Sequence, residues 1–591
     1  MRVSRRPAAL VACAATSLLV LAGCSTSDSG SGDSSATDAG SEAPTSEESS
    51  AGTSATFTYA YEQEFLSYSN NTSAQNASSN TVVLNQVLRG FWNYNTEGTA
   101  EPDPEFGTYE KTSDDPLTVV YTIDEAAVWS DGDPIDCDDM KLAYIAKTAL
   151  ETGETDPETG SPILLFDPAT TAGYDQIDTL DCADGDKEIT VTYATPFADW
   201  QALFSATEIM PAHIVEAEAG VEDVIALVDA ADAAGLAAVG DFWQNGWVFN
   251  PGEFNADISP SAGPYQIDSW DAGQSLTLVR NPQWWGEPGA TDTIVIRYIP
   301  QEQQAQALQN GEVQAMDPQP NPELVAQLEG LGDAVEFSTH DQFTWEHLDF
   351  NFNSVFADRN LREAFAKCVP RQLIIDNLIA PQNPEAEILN SRKYLPFQPQ
   401  YADATASGAG DAYNEVDLAG ATELVTASGV ATPIPVRIGY RTPNQRRTDE
   451  VALIRDSCNQ AGFDIQDIGA EDFFGNGLAN GIFDVALFAW AGSALVTGDA
   501  STYVTEGGNN NGKYSNPEVD TLTTQLSAEL DLDAQVELNK QIDDILWTDL
   551  PTIPLFAFPG ILATDPSAQN VEYNASQAGL TWNMNAWSVA E

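Results

Sequence analysis

The side chains here most ready for chemistry are thiols. The 591-residue chain holds six cysteines, Cys13, Cys24, Cys137, Cys182, Cys368 and Cys458. No two are spaced Cys-x-x-Cys and the three histidines are scattered, so no zinc-type ligand set forms and no metal is expected. Cys24 is set apart by what precedes it: Arg2, Arg5 and Arg6, an apolar run over 8–21, then Ala22 and Gly23. Basic, apolar, then small is the layout of a secretory signal peptide, over residues 1–23. The run falls short of the ~20 apolar residues that span a bilayer. Cys13 leaves with such a signal. Four cysteines, Cys137, Cys182, Cys368 and Cys458, then stay in the exported body, an even number that suggests two disulfides in one of three pairings.

Other reactive constellations are missing. The sequence contains no nucleophile elbow, zinc-protease helix, phosphate loop or dinucleotide fingerprint, so neither catalysis nor a cofactor is expected. Asp and Glu number 90, too many for any one carboxylate pair to carry information. Against them stand 23 Lys and Arg, for a net charge of −67. Losing three arginines with the signal leaves 20 basic and 90 acidic side chains, near −70. That balance excludes nucleic acid as a partner, because its binding rests on Lys and Arg neutralising phosphate. It also excludes charge-driven adhesion to anionic lipid.

The elements that must position any site come next. Residues 24–54 are Ser, Thr, Gly, Ala, Asp and Glu with one proline after Cys24, a flexible acidic tether with a reach of roughly 30 Å. Beyond it, 42% hydrophobic and 9% aromatic residues over more than 500 positions suit two or three globular domains. Alternation predicts strands over 56–61, 117–123, 188–193, 275–280 and 293–298, and later over 436–440 and 483–490. Helical spacing and caps predict helices over 81–89, 136–150, 221–239, 301–310, 361–368, 373–379, 418–428, 449–460, 517–530 and 534–547. Strand–helix alternation points to an α/β fold with a covered sheet.

Several segments, in order, resemble one family. They are Leu88-Arg89-Gly90-Phe91; Trp129-Ser130-Asp131-Gly132 with Cys137-Asp138-Asp139-Met140; Gly263-Pro264-Tyr265 with Arg280-Asn281-Pro282-Gln283-Trp284-Trp285; Leu308-Gln309-Asn310-Gly311-Glu312-Val313; Leu348-Asp349-Phe350-Asn351 with Phe356-Ala357-Asp358-Arg359-Asn360-Leu361-Arg362-Glu363-Ala364; Tyr514-Ser515-Asn516-Pro517; and Asp549-Leu550-Pro551-Thr552-Ile553-Pro554. They are similar to segments of the bacterial extracellular solute-binding proteins of family 5, the oligopeptide-, dipeptide- and nickel-binding type of ABC importers. Leu21-Ala22-Gly23-Cys24 resembles a lipoprotein lipobox, which implies cleavage before Cys24 and a diacylglycerol on its sulfur.

The resemblance implies a two-lobed Venus-flytrap fold of the periplasmic-binding-protein kind. Lobe one would hold 55–299, with an extra subdomain over about 110–255, and the return 559–591; lobe two would hold 300–558. Crossings are expected at 298–300 and 554–559. Within those lobes the favoured disulfides are Cys137–Cys182 and Cys368–Cys458. The implied function is that of a lipid-anchored substrate-binding protein at the extracytoplasmic face of the cell membrane, monomeric, which captures a peptide or other small solute and passes it to ABC permease and ATPase subunits. The alternative is a flytrap lipoprotein serving envelope glycolipid assembly or regulation. In peptide-binding relatives an aspartate three residues after a tryptophan clamps the ligand's amino group. Here Trp490 is followed at that spacing by Ser493, whose neutral hydroxyl cannot make the charge-assisted contact. Either another acid such as Glu62 or Asp499 substitutes, or the ligand is an amine-blocked peptide, a glycan or a lipid-derived solute. The expected ligand contacts are Tyr61, Glu62, Trp345, Tyr440, Asn444, Trp490 and Ser493.

Overall fold

Ten runs of extended, largely apolar residues pair into one sheet in the computed structural model. These are β1 (Thr56–Tyr61), β2 (Tyr265–Asp271), β3 (Ser275–Arg280), β4 (Thr293–Tyr298), β5 (Ala315–Met316), β6 (Glu336–Phe350), β7 (Ile434–Gly439), β8 (Phe463–Asp467), β9 (Val485–Trp490) and β10 (Thr552–Thr564). The structure describes residues 55–148, 150–155, 162–230, 232–321, 323–576 and 578–590. The expected signal segment, Cys24 and the tether lie outside the described residues. Across the sheet the order is β2-β3-β4-β1-β5-β10-β6-β9-β7-β8. β1 runs parallel to β4 and β5, and β7 parallel to β8 and β9. Parallel neighbours need crossovers. Between β7 and β8 the crossover is the helix Gln445–Cys458.

The sheet joins two large cores. One gathers residues between Phe57 and Ala315 together with Leu580, Met584 and Trp587. The other gathers residues between Leu348 and Phe558. A smaller cluster holds Ala60, Ile299, Leu308, Met316 and Val335 with Ile561 and Ala563. After Pro300 the chain therefore returns to the first side of the sheet, where β5 pairs with β1. The strands that reach from this small cluster into the second core are β6 and β10, 15 and 13 residues long. They pair antiparallel from Glu336↔Thr564 to Asp349↔Thr552, with the ladder interrupted between Asp341 and Trp345.

A separate antiparallel sheet of Gly107–Asp114, Leu117–Ile123, Glu188–Tyr193 and Ile177–Asp181 forms within the segment expected to be a subdomain. The four body cysteines pair as Cys137–Cys182 and Cys368–Cys458, closing spans of 45 and 90 residues. Each closure restricts the unfolded chain, for a ceiling of about 4 kcal/mol.

Two predicted helices change. The run over 221–239 divides into Val224–Asp229 and Ala237–Asn245. Asp232 accepts from the Gly235 N–H at 3.0 Å, and that local turn competes with the helix. The helix expected over 449–460 starts earlier, at Gln445, because Asn444 caps it through the Arg447 N–H at 3.0 Å. No described helix is long and apolar enough to cross a membrane.

Candidate functional site

Strand ends and the loops that follow them line a cavity of about 1080 Å³. Tyr61 closes β1 and Glu62 follows it; Trp345 lies on β6 and Trp490 ends β9; Asn444 and Ser493 stand in the loops after β7 and β9. These six expected residues come together on its wall. Tyr440 does not. It is 2% exposed in the second core, and its hydroxyl reaches Thr448 Oγ1 at 3.0 Å and Asp467 at 3.2 Å. Asn444 is committed structurally, since its carbonyl oxygen caps a helix while its Nδ2 donates to Gln319 at 3.0 Å.

The floor is aromatic. Trp345 and Trp490 are register partners on adjacent strands, so their side chains share a face. The buried His347 ring packs 4.8 Å from Trp345 and stacks on Trp490 at 5.9 Å and 8°, with Phe488 5.0 Å from Trp490. Flat rings of this kind suit extended chains or sugars. The Trp490 indole N–H is buried and meets no acceptor among the described residues.

The loop after β9 is held from both sides. Asp199, from the first core's side, accepts from the Val496 N–H at 3.0 Å and from Thr497 N–H and Oγ1 at 2.6 Å each. Lys393 donates to the carbonyls of Leu495 and Val496 at 2.8 and 2.9 Å and pairs with Asp499 at 2.8 Å. Asp499 therefore already has a cation. Gly492 lies so close to the Phe343 carbonyl that an added Cβ would sit 2.8 Å from it, which keeps this loop against β6.

Charge on the wall falls into paired and unpaired groups. Arg447 binds Glu346 at 2.7 Å, Lys147 binds Glu208 at 3.3 Å, and Arg392 binds Asp543 at 2.6 Å. Glu62 accepts from Gln319 Nε2 and, among the described residues, faces no cation within ion-pair distance. Asp317, just past β5, also pairs with no cation among the described residues. Burial lifts its carboxyl to about 7; the Leu580 N–H opposes the rise and Glu62 adds to it. Arg441, in the loop after β7, has no hydrogen-bond or acidic partner among the described residues, and its charge is felt across the cavity by the Tyr61 hydroxyl. Asp199, Asp317, Lys393 and Arg441 were not legible as site residues. Each sits in a loop, and single charges in loops carry no periodic signal. Among the described residues no cluster could hold a metal ion.

A mixed sheet shared by two cores, with a large polar and aromatic cavity at its strand ends, is the architecture of a periplasmic-binding-protein fold. The comparisons make this specific. The profile of bacterial extracellular solute-binding proteins, family 5, middle region, matches residues 101–515, and the chain belongs to that family. Its members are non-enzymatic components of transport. The chain is 30% identical over 548 residues to an uncharacterized lipoprotein of Mycobacterium leprae, covering 88% of this chain and 91% of that protein. It is 25% identical over 480 residues to the oligopeptide-binding protein OppA of Mycobacterium tuberculosis, covering 79% and 73%. Among solved structures, the periplasmic EDTA-binding protein EppA superposes with a TM-score of 0.74 at 24% identity, covering 91% of this chain and 96% of that one.

Proposed function

We propose that the protein captures a peptide or similar solute in this cavity and delivers it to an ABC permease and its ATPase, while moored by lipid on Cys24 to the extracytoplasmic face of the membrane. The observation that carries the reading is the cavity. At about 1080 Å³ it is just above the ~300–1,000 Å³ range of small-molecule pockets, with an aromatic floor for an extended chain. The similarity to an oligopeptide-binding protein supports the solute class, and the similarity to a lipoprotein supports the mooring. The ligand contacts are Tyr61, Glu62, Trp345, Trp490 and Ser493. Asn444 and Tyr440 hold the frame behind them.

The hinge lies in β6 and β10. These strands join the two cores, and their ladder is interrupted between Asp341 and Trp345, so bending there breaks the fewest bonds. Lobe one then keeps 300–335, which packs on β1. A ligand touched from both sides favours the closed form because only that form makes both sets of contacts.

A thermal-shift screen of short peptides tests the solute class. Peptides with free and acetylated amino ends should raise the melting temperature alike, because no aspartate stands at position 493. A strict requirement for the free amine would show that another acid serves as the clamp. For the mooring, Cys24→Ala should keep peptide binding and leave the membrane fraction; a variant that stays with membranes contradicts the lipid anchor.

A further inference from the structure

We infer that the solute held in this cavity presents an oxyanion, a carboxylate or a phosphate, to Arg441. The inference rests on the proposed solute-binding function of the same cavity and adds what the ligand must carry.

Five cations line the cavity, and four are already held by acids: Lys147 by Glu208, Arg392 by Asp543, Lys393 by Asp499 and Arg447 by Glu346. Arg441 alone meets no acceptor among the described residues. In a chain with 90 acids and 23 bases, partners for a surplus guanidinium are abundant. A half-buried arginine left without one is out of keeping with the rest of the wall. Its backbone is not loose. Thr442 N–H donates to the Ala470 carbonyl at 3.1 Å and Ala470 N–H to the Tyr440 carbonyl at 3.0 Å, which pins the residue between two bonds. The guanidinium is a planar fork that fits a carboxylate or phosphate with two parallel hydrogen bonds.

A second observation points the same way. Among the described residues, the buried side-chain atoms that line the cavity and lack a partner are Trp92 Nε1, Arg392 Nε, Trp490 Nε1 and the Tyr503 hydroxyl, three N–H groups and one O–H. These buried groups are satisfied by a ligand that brings acceptors. Of the acids nearest the Tyr61 hydroxyl, Glu62 accepts a hydrogen bond from Gln319, and burial raises the Asp317 carboxyl to about 7, so that part of it stays protonated near neutral pH.

Titration calorimetry at pH 7.5 with two matched pairs tests this: trialanine against trialanine carboxamide, and glycerol phosphate against glycerol. The folded chain should prefer the anionic member of at least one pair by about tenfold or more, the scale of a charge-assisted hydrogen bond. Arg441→Met should abolish that preference with its melting temperature unchanged. Arg441→Lys, which keeps the charge and loses the fork, should retain part of it. Equal binding within both pairs, or a preference that survives Arg441→Met, overturns the assignment while leaving peptide binding in place. Binding of glycerol phosphate over glycerol, with neither form of trialanine bound, supports Arg441 and removes the peptide reading. Binding of neither pair counts against both.

Discussion

Arg441 and the charged first turns of the helix Gln445–Cys458 are neighbours on the chain and meet opposite fates. Glu346, Arg446, Arg447 and Glu450 are buried together, their side chains at most 5% exposed. Arg446 reaches Glu346 at 3.2 Å and also pairs with Glu450; Arg447 reaches Glu346 at 2.7 Å. Burial alone would lift the Glu346 carboxyl, but the two guanidiniums outweigh it and bring it down to about 2. Glu450 goes the other way: burial pushes it up to about 7, with Arg446 opposing and Glu346 adding. Arg441, five residues before Arg446, has no such partner. The paired group ties the helix Gln445–Cys458 to β6 and belongs to the frame. The unpaired arginine faces the cavity and is available to a ligand.

Breaking the paired group should have the largest effect. Glu346→Ala strands the buried Arg447 guanidinium and leaves Arg446 with Glu450 as its one acid, and should cost about 3–5 kcal/mol of stability, measured by urea unfolding. Next comes the loop that Asp199 holds. Asp199→Ala removes a carboxylate that accepts three hydrogen bonds, and should cost about 1–3 kcal/mol, with faster amide exchange at Val496 and Thr497. A smaller effect is expected at Asp317. An acid whose pKa is raised to about 7 holds its proton more tightly folded than unfolded, so its contribution declines as pH rises from about 4 through 7. Asp317→Asn should therefore stabilise the protein at pH 8 by on the order of 1 kcal/mol, a gain that fades toward pH 4. The smallest change belongs to Arg441→Met, which should alter stability by no more than about 0.5 kcal/mol, since no bond is lost. A large loss there would blur the distinction between frame and site.

Much of the frame was legible in the sequence. β1, β4, β7 and β9 alternate or run apolar, and Asp136 caps the helix Cys137–Ala146 as its residue type suggests. β6 was hidden because its first seven residues are largely exposed and its last eight largely buried, so neither half alternates cleanly. β10 reads as a continuous apolar run broken by Pro554 and Pro559, which argues against a strand by residue type alone. The expected crossing at 554–559 nevertheless falls within β10, whereas nothing in residues 336–350 marked β6 as a strand. At the site, Trp490 was expected because it ends an apolar strand similar to one in the peptide-binding relatives, and it lies on the cavity wall beside Trp345. Arg441 and Asp317 were not, because the lack of a partner is a property of three-dimensional surroundings.

The central claim is that this cavity holds a solute. Native mass spectrometry of the folded chain, incubated with a mixed library of short peptides and organic phosphates, tests it directly when repeated with Ser493→Trp, a substitution that places an indole into the cavity. The account predicts a bound small molecule on the native chain that Ser493→Trp excludes while the protein stays folded. A ligand retained equally by both proteins would place binding elsewhere and contradict the account.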